Sequence, residues 1–264
     1  MSYVIAVSNE KGGTGKSTTA VNVAAALAER GHRTLLVDFD PSFGLTRMLG
    51  STPESFETTL LDVLREENPI TIQAAIQQLK DYKNLFLIPG HTKLALLEAR
   101  LTQPFWERLL SNALTDVSEA YSFVVIDCPP GLGFFPTNAY VAANLIVIPI
   151  QTEFIALTSL DKMGAFLGGF PEDHRPESFH LVPTLYDKRT KHAQEVLQQL
   201  RNRYPEALSK HIIPRTVGFS DSTVEGKPFI HYDPDHDAAK AYRGVAEEII
   251  EIWQSRNEPP SAQA

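Results

Sequence analysis

Hydrophobic residues in this chain fall into short, nearly continuous blocks: "YVIAV" (3–7), "TLLVD" (34–38), "NLFLIP" (84–89), "FVVID" (123–127), "LIVIPI" (145–150) and "FHLVPTL" (179–185). Blocks without polar alternation suit strands that are covered on both faces, as in a parallel sheet. Between them lie helix-length segments, Ser17 to Arg30 closed by Gly31, Pro104 to Ala120, Phe154 to Leu167 and His192 to Tyr204. "GVAEEIIEIWQSRN" near the C-terminus reads as an acidic helix docked on the body. Strand and helix alternate, which predicts an α/β fold with a doubly wound, mostly parallel sheet. No internal repeat or Pro/Gly/Ser linker divides the chain, so residues 1–256 are expected to form one domain, followed by a frayed polar tail over 257–264.

Composition narrows this further. Apolar residues make up 43% of the 264 and charged residues 21%, ordinary globular usage that gives no reason to expect disorder. No apolar stretch approaches membrane-spanning length, and the chain enters its first strand at Tyr3 without a basic stretch or cleavage site, so neither export nor a membrane anchor is expected. The single cysteine, Cys128, excludes an internal disulfide, and the cytoplasm is the expected compartment. The net charge of −8 is unevenly spread. Lys188 to Arg215 holds seven Lys/Arg against two Glu, a local +5, whereas residues 216–264 hold four against nine acids, a local −5.

Chemistry concentrates first in "SNEKGGTGKSTTA" (8–20), directly after the first apolar block. A strand, a glycine-rich loop and a helix start form the arrangement of a P-loop, although Glu10 stands where the regular spacing would have glycine. Gly12, Gly13, Thr14 and Gly15 are placed to wrap backbone N–H groups around phosphate. Lys16 supplies a point charge, Ser17 can ligate Mg²⁺, and Thr18 is a further candidate for binding the nucleotide. A nucleotide triphosphate with Mg²⁺ needs carboxylates at neighbouring strand ends. Asp127 ends the apolar block "FVVID" and is the candidate for holding a metal-bound water; Asp38 and Asp40 in "TLLVDFDP" are further candidates. The residues alone leave the division of labour between those two open, as they leave unexplained why the loop carries a second lysine, Lys11.

"KGGTGKSTT" resembles the deviant Walker A motif of the ParA/MinD ATPases, and more of the chain resembles the ParA/Soj partition ATPases. The similarity runs through "LLVDFDP" (36–41), "VVIDCPPGLGFFPTNA" (124–139), "VIPIQTEFIAL" (147–157), "TLYDKRT" (184–190), "IIPRTV" (212–217) and "GKPFIHYDP...AAKAY" (226–242). The resemblance implies a homodimer around sandwiched ATP, in which Lys11 crosses to the partner's nucleotide and Lys16 serves its own. It implies that Asp40 orients the attacking water beside the metal, that Asp127 is the Walker B aspartate, and that Tyr186, Pro214 and Arg215 lie near the adenine. It also makes Arg189 and Arg215, with Lys188 and Lys191 and more remotely Arg201, Arg203 and Lys210, candidates for contacting DNA phosphates.

On that basis the expected activity is Mg-ATP hydrolysis. The ATP dimer would bind nucleoid DNA nonspecifically and position a plasmid, chromosome or protein cargo with a ParB-like partner. The alternatives are a MinD-like membrane-positioning ATPase or a metabolic enzyme on the same fold. For the latter, His91, His174, His192 and His231 are too scattered to suggest an acid–base cluster. With the P-loop starting about ten residues into the chain, an N-terminal operator-reading domain is not expected. Two departures from the family pattern stand out. Ser42-Phe43-Gly44 replaces Gln-Gly-Asn after the Asp-Pro of the switch loop, and Gly218 stands where an arginine commonly follows "IIPR".

Overall fold

The computed structural model describes residues 1–102, 104–172 and 175–257. Gln103, His174 and most of the expected tail lie outside them. Seven strands, β1 (Tyr3–Val7), β2 (Thr34–Asp38), β3 (Gln77–Gln78), β4 (Leu85–Ile88), β5 (Phe123–Asp127), β6 (Leu145–Gln151) and β7 (Ser178–Thr184), form one sheet in the order β3-β4-β2-β5-β1-β6-β7. All neighbours pair in parallel except β3 with β4. β1 therefore sits between β5 and β6, and the loop leaving it opens at the carboxyl edge, where ligands of open α/β sheets bind.

Helices α1 (Lys16–Glu29) and α2 (Gly44–Met48) precede α3 (Leu60–Leu64), α4 (Ile72–Ala75), α5 (Leu109–Thr115) and α6 (Phe134–Ala142). They are followed by α7 (Ile155–Gly168), α8 (Lys191–Arg203), α9 (Gly218–Val224), α10 (Phe229–Tyr232) and α11 (Asp237–Asn257). Strand side chains alternate faces. Leu35 and Val37 of β2, with Val124 and Ile126 of β5, join a core covered by α3 to α8; Leu36 and Val125 join the opposite core, covered by α1, α10 and α11. Continuing that alternation to the strand ends directs Asp38 and Asp127 toward the α1 side. There α1 is buried from Thr19 to Leu27, and its alanines at 20, 24, 25 and 26 let it lie close beneath α11.

Three departures from the sequence expectations have local causes. The helix expected over 104–120 is broken into a 3-10 turn, Trp106–Arg108, and the short α5, because Phe105 takes a left-handed φ of 61° and the chain after Thr115 closes into successive turns. β3 is two glutamines long and carries no apolar signature. α6 is apolar all round its N-terminal half, and its Pro136 lies in the first turn, where a helix tolerates it.

One contact joins distant segments. Gly50 after α2 and Gly226 after α9 meet backbone to backbone, both with positive φ (73° and 65°); a Cβ on Gly226 would lie 2.7 Å from the Gly50 Cα.

Candidate nucleotide site and basic segment

The loop from Ser8 to Gly15 is tied outward through its carbonyls. Gly131 N–H donates to the Glu10 carbonyl at 3.0 Å, Lys16 Nζ to that of Lys11 at 2.9 Å, Gln151 Nε2 to that of Gly13 at 2.9 Å and Thr184 Oγ1 to that of Thr14 at 2.8 Å. Among the described residues no backbone bond uses the N–H groups of Gly12, Gly13, Thr14 or Gly15, and α1 starts from Gly15 with no side-chain cap. A helix N-terminus with uncapped N–H groups, preceded by free loop amides, is an anion receptacle.

Lys16 is buried at the mouth of this loop, and burial lowers its pKa against the opposing pull of Asp127. The two lysines part company in space. The Lys11 side chain, about one-third exposed, donates from Nζ to Gln151 Oε1 at 2.8 Å and pairs with Glu153 Oε2 at 2.5 Å.

Asp38 and Asp127 face each other across the β2–β5 register and are both fully buried. Asp38 Oδ2 accepts from the Thr46 N–H at 2.8 Å and the Thr46 hydroxyl at 2.6 Å, while Gly90 N–H donates to the same hydroxyl at 3.1 Å. Gly90 has to be glycine for this: a Cβ there would stand 2.8 Å from the Asp38 carboxyl carbon. The other Asp38 oxygen and both Asp127 oxygens lack a geometric hydrogen-bond partner. Burial raises the Asp38 pKa to about 7, with Thr46 opposing; burial and then the neighbouring Asp38 push Asp127 well up, with Ser17 and Lys16 opposing.

Buried carboxylate oxygens without protein partners fit a hard divalent cation, whose charge would reverse both shifts. The described residues hold no group of three His, Cys, Asp or Glu that could bind a metal alone. The donor set therefore suits Mg²⁺ carried with phosphate: Ser17 and Asp127 would hold it, with water and phosphate oxygens completing the shell. Cys128 is buried beside this pair, and burial raises its thiol pKa well above the usual value.

Asp40 sits beyond the end of β2 in a turn of its own making, its Oδ1 accepting from Ser42 N–H and its carbonyl from Phe43 N–H, each at 2.8 Å. It lines a cleft of about 430 Å³ with Glu98 and the 129–136 loop. Phe43 and Gly44, which depart from the family pattern, have clear positions. Phe43 takes a left-handed φ of 44° under the Arg47 guanidinium, 4.7 Å from the ring centroid, and Gly44 lies against the Ser17 hydroxyl, which a Cβ would meet at 3.4 Å.

Tyr186 and Pro214 form an isolated bridge, and Arg215 N–H donates to the Tyr186 carbonyl at 3.0 Å. Together with Lys188 and Arg189 they line a cleft of about 510 Å³; a smaller one of about 280 Å³ is lined by Gln151 and Glu153 as well as Arg215. The basic residues are not equivalent. Arg189 is held bidentately by Asp187, at 2.9 and 2.7 Å, which drives the Asp187 pKa down, and Arg203 pairs with Asp161. Lys188, Lys191, Arg201, Lys210 and Arg215 are exposed and take part in no ion pair among the described residues. Gly218 is explained by packing, since a Cβ would stand 2.8 Å from the Phe229 ring. Of the scattered histidines, His192 packs on Phe154, His231 stacks on Tyr82 and bonds Glu29, and His91 caps a turn, with no shared site among them.

Sequence reading missed Gln151, Thr184, Thr46 and Gly90. Gly90, in a Pro-Gly after an apolar block, left a mark of its own, and Gln151 and Thr184 stand inside stretches that carry the family resemblance without a role being assigned to them.

Comparison with known proteins follows the same line. A family model described as "AAA domain" matches residues 2–177. Sporulation initiation inhibitor protein Soj of Bacillus subtilis is 34% identical over 253 residues, covering 94% of this chain and 98% of the relative. Chromosome partitioning protein ParA of Caulobacter vibrioides is 35% identical over 261 residues, 96% of each chain. Among solved structures, a cobyrinic acid a,c-diamide synthase from Mycobacterium smegmatis with bound ADP and magnesium superposes with a TM-score of 0.82 at 31% identity, covering all of both chains. The cell division ATPase MinD of Pyrococcus furiosus superposes with a TM-score of 0.77 at 27% identity, covering 96% of this chain and all of that one.

Proposed function

This chain belongs to the Soj/ParA partition ATPases, a family of P-loop enzymes, and from that premise we propose that it is a Mg-ATP-dependent dimerising switch that binds DNA nonspecifically in its ATP state. The observation that carries the reading is the separate placement of the two lysines. Lys16 lies inside its own loop, whereas Lys11 is held outside it on Gln151 and Glu153, a solvent-accessible anchor from which it can be released toward a second subunit.

In this reading Mg²⁺ supplies charge neutralisation at the phosphates. The loop amides bind the phosphate oxygens, Lys16 adds its charge, and Ser17 and Asp127 hold the cation. Asp40, adjacent to the metal site, orients a water for attack on the terminal phosphate. Closing a second subunit over the site excludes bulk water and strengthens each of these interactions, which makes hydrolysis depend on dimer formation. Tyr186, Pro214 and Arg215 border the adenine, and Arg215, Lys188, Lys191 and Arg189 present the DNA-facing charge. A ParB-like adaptor then triggers turnover and release, with the nucleoid as the working location.

The test is DNA binding with ATP, ADP or no nucleotide at two salt concentrations, alongside the mass in solution. An ATP-specific dimer that holds DNA of any sequence and lets go in higher salt is expected. A monomer in ATP that hydrolyses it rapidly when given a small carboxylate acceptor would overturn the switch.

That outcome belongs to a second reading, an ATP-dependent ligase, favoured by the overlap with the diamide synthase. A membrane-positioning role has less support. No helix among the described residues is long and apolar enough to cross a membrane, and the acidic α11 packs on the body through Tyr242, Val245 and Ile249. Flotation on liposomes with ATP would reverse that ranking.

A further inference from the structure

We propose that Thr184, the last residue of β7, is a positioning residue of the ATPase that holds the phosphate loop in its receiving shape. The inference rests on the nucleotide-binding reading of that loop. Thr184 is 2% exposed, and its hydroxyl donates to the Thr14 carbonyl across 170 residues of sequence at 2.8 Å. Thr14 is itself buried, and its own hydroxyl has no partner. A peptide whose carbonyl is fastened on one side presents its N–H on the other, because the unit is planar and trans. Fastening the 14–15 peptide from β7 therefore fixes the direction of the Gly15 N–H.

The local backbone shows how firmly that hydroxyl is placed. Leu185, directly after it, takes a left-handed φ of 53°, a conformation that costs a non-glycine residue about 1 kcal/mol. Such strain persists where neighbouring contacts over-determine the chain. Here those contacts stand on both sides: Thr184 is fastened to the loop, and Tyr186 is fastened by its N–H to the Ile213 carbonyl at 3.1 Å and by its carbonyl to Arg215 N–H at 3.0 Å. β7 is paired with β6 up to Thr184 itself, so the hydroxyl is carried on the sheet rather than on a loop. Gln151 at the end of β6 does the same for the Gly13 carbonyl, but it is half-buried and also serves Lys11; the Thr184 hydroxyl makes this one hydrogen bond among the described residues.

Thr184→Val keeps shape and volume while removing the donor. Mg-ATP affinity by calorimetry should fall about tenfold, equivalent to about 1.4 kcal/mol. KM should rise while kcat stays within about twofold, since the loop binds substrate and transition state alike. In the protein saturated with Mg-ATP, hydrogen exchange at Gly12 to Lys16 should accelerate relative to the unaltered protein while β6 and β7 keep their protection. Thr184→Ser should restore affinity and exchange. If the valine variant is destabilised, Thr184→Ala is read in the same way. Unchanged affinity and loop exchange in a folded variant, or a loss that serine does not rescue, overturns the inference. Failure of the unaltered protein to bind Mg-ATP would instead overturn the nucleotide reading on which it rests.

Discussion

Two regions of this molecule are read as meeting polyanions, and they are built on opposite plans. The glycine-rich loop is fastened by carbonyls to three other segments, and its lysine is buried, so the receptor exists before any ligand arrives. The basic segment from Lys188 to Arg215 presents exposed cations on solvated side chains, one of them already held by Asp187. Fixed geometry suits one chemical group held to fractions of an ångström, whereas mobile charge suits a uniform polymer that is read only as a row of phosphates. The contrast teaches that the same charge on two lysines can carry very different weight, according to what the fold has done to it beforehand.

The comparison can be broken at its strongest point first. Lys16→Ala should weaken Mg-ATP binding at least about 100-fold, because the loop loses the buried positive charge it offers to phosphate; calorimetry reads it directly. Asp40→Ala should keep nucleotide affinity and lower single-turnover hydrolysis about 100-fold, in the range of a lost water-orienting group. On the diffuse side the effects should be smaller. Arg215→Glu should weaken DNA binding about tenfold at every sequence tested, and its salt dependence should become shallower by about one released counterion for the phosphate that Arg215 no longer neutralises. A fluorescence anisotropy titration at several salt concentrations checks both.

The scaffold beneath the basic segment offers a pH test. Burial pushes the Glu248 pKa up, but bonds from His180 Nε2, the Ser209 hydroxyl and Lys210 N–H outweigh it and hold the carboxyl below its usual value. A folded pKa below the unfolded one adds stability at neutral pH and loses it as pH falls through the usual carboxylate range toward the folded value. Glu248→Gln should therefore cost about 1 kcal/mol at pH 7 and shrink to little in acid, read from urea midpoints at both pH values. The smallest effect belongs to Asp187→Asn. Releasing Arg189 should tighten DNA binding by about threefold and leave nucleotide-free stability unchanged.

Most of the sheet was legible because parallel strands covered on both faces must be apolar throughout, and six such blocks matched six strands. The helix over 104–120 was misread because left-handed Phe105 and the turns after Thr115 leave no mark in the hydrophobic pattern. At the site, residues that offer charge were legible, since Lys16, Asp40 and Asp127 stand at fixed offsets from glycines or strand ends. The residues that fasten their surroundings were not. The hydroxyls of Thr46 and Thr184 bond the Asp38 carboxylate and the Thr14 carbonyl, 8 and 170 residues away, and a threonine in a chain does not announce its partner. The likeness to partition ATPases described the basic segment as a set of positive residues; that Asp187 already holds Arg189 emerged only from the fold.

The meeting of Gly50 with Gly226 has a historical consequence. A Cβ on Gly226 would press into the Gly50 backbone at 2.7 Å, and one on Gly50 would meet the Gly226 Cα at 3.2 Å from a backbone of positive φ, so substitution is resisted at both positions, and a change at one brings no relief to the other. Two segments far apart in sequence, one following α2 and one following α9, thus share a single constraint on substitution. Sequence drift on either side of the molecule has to leave that crossing as it found it.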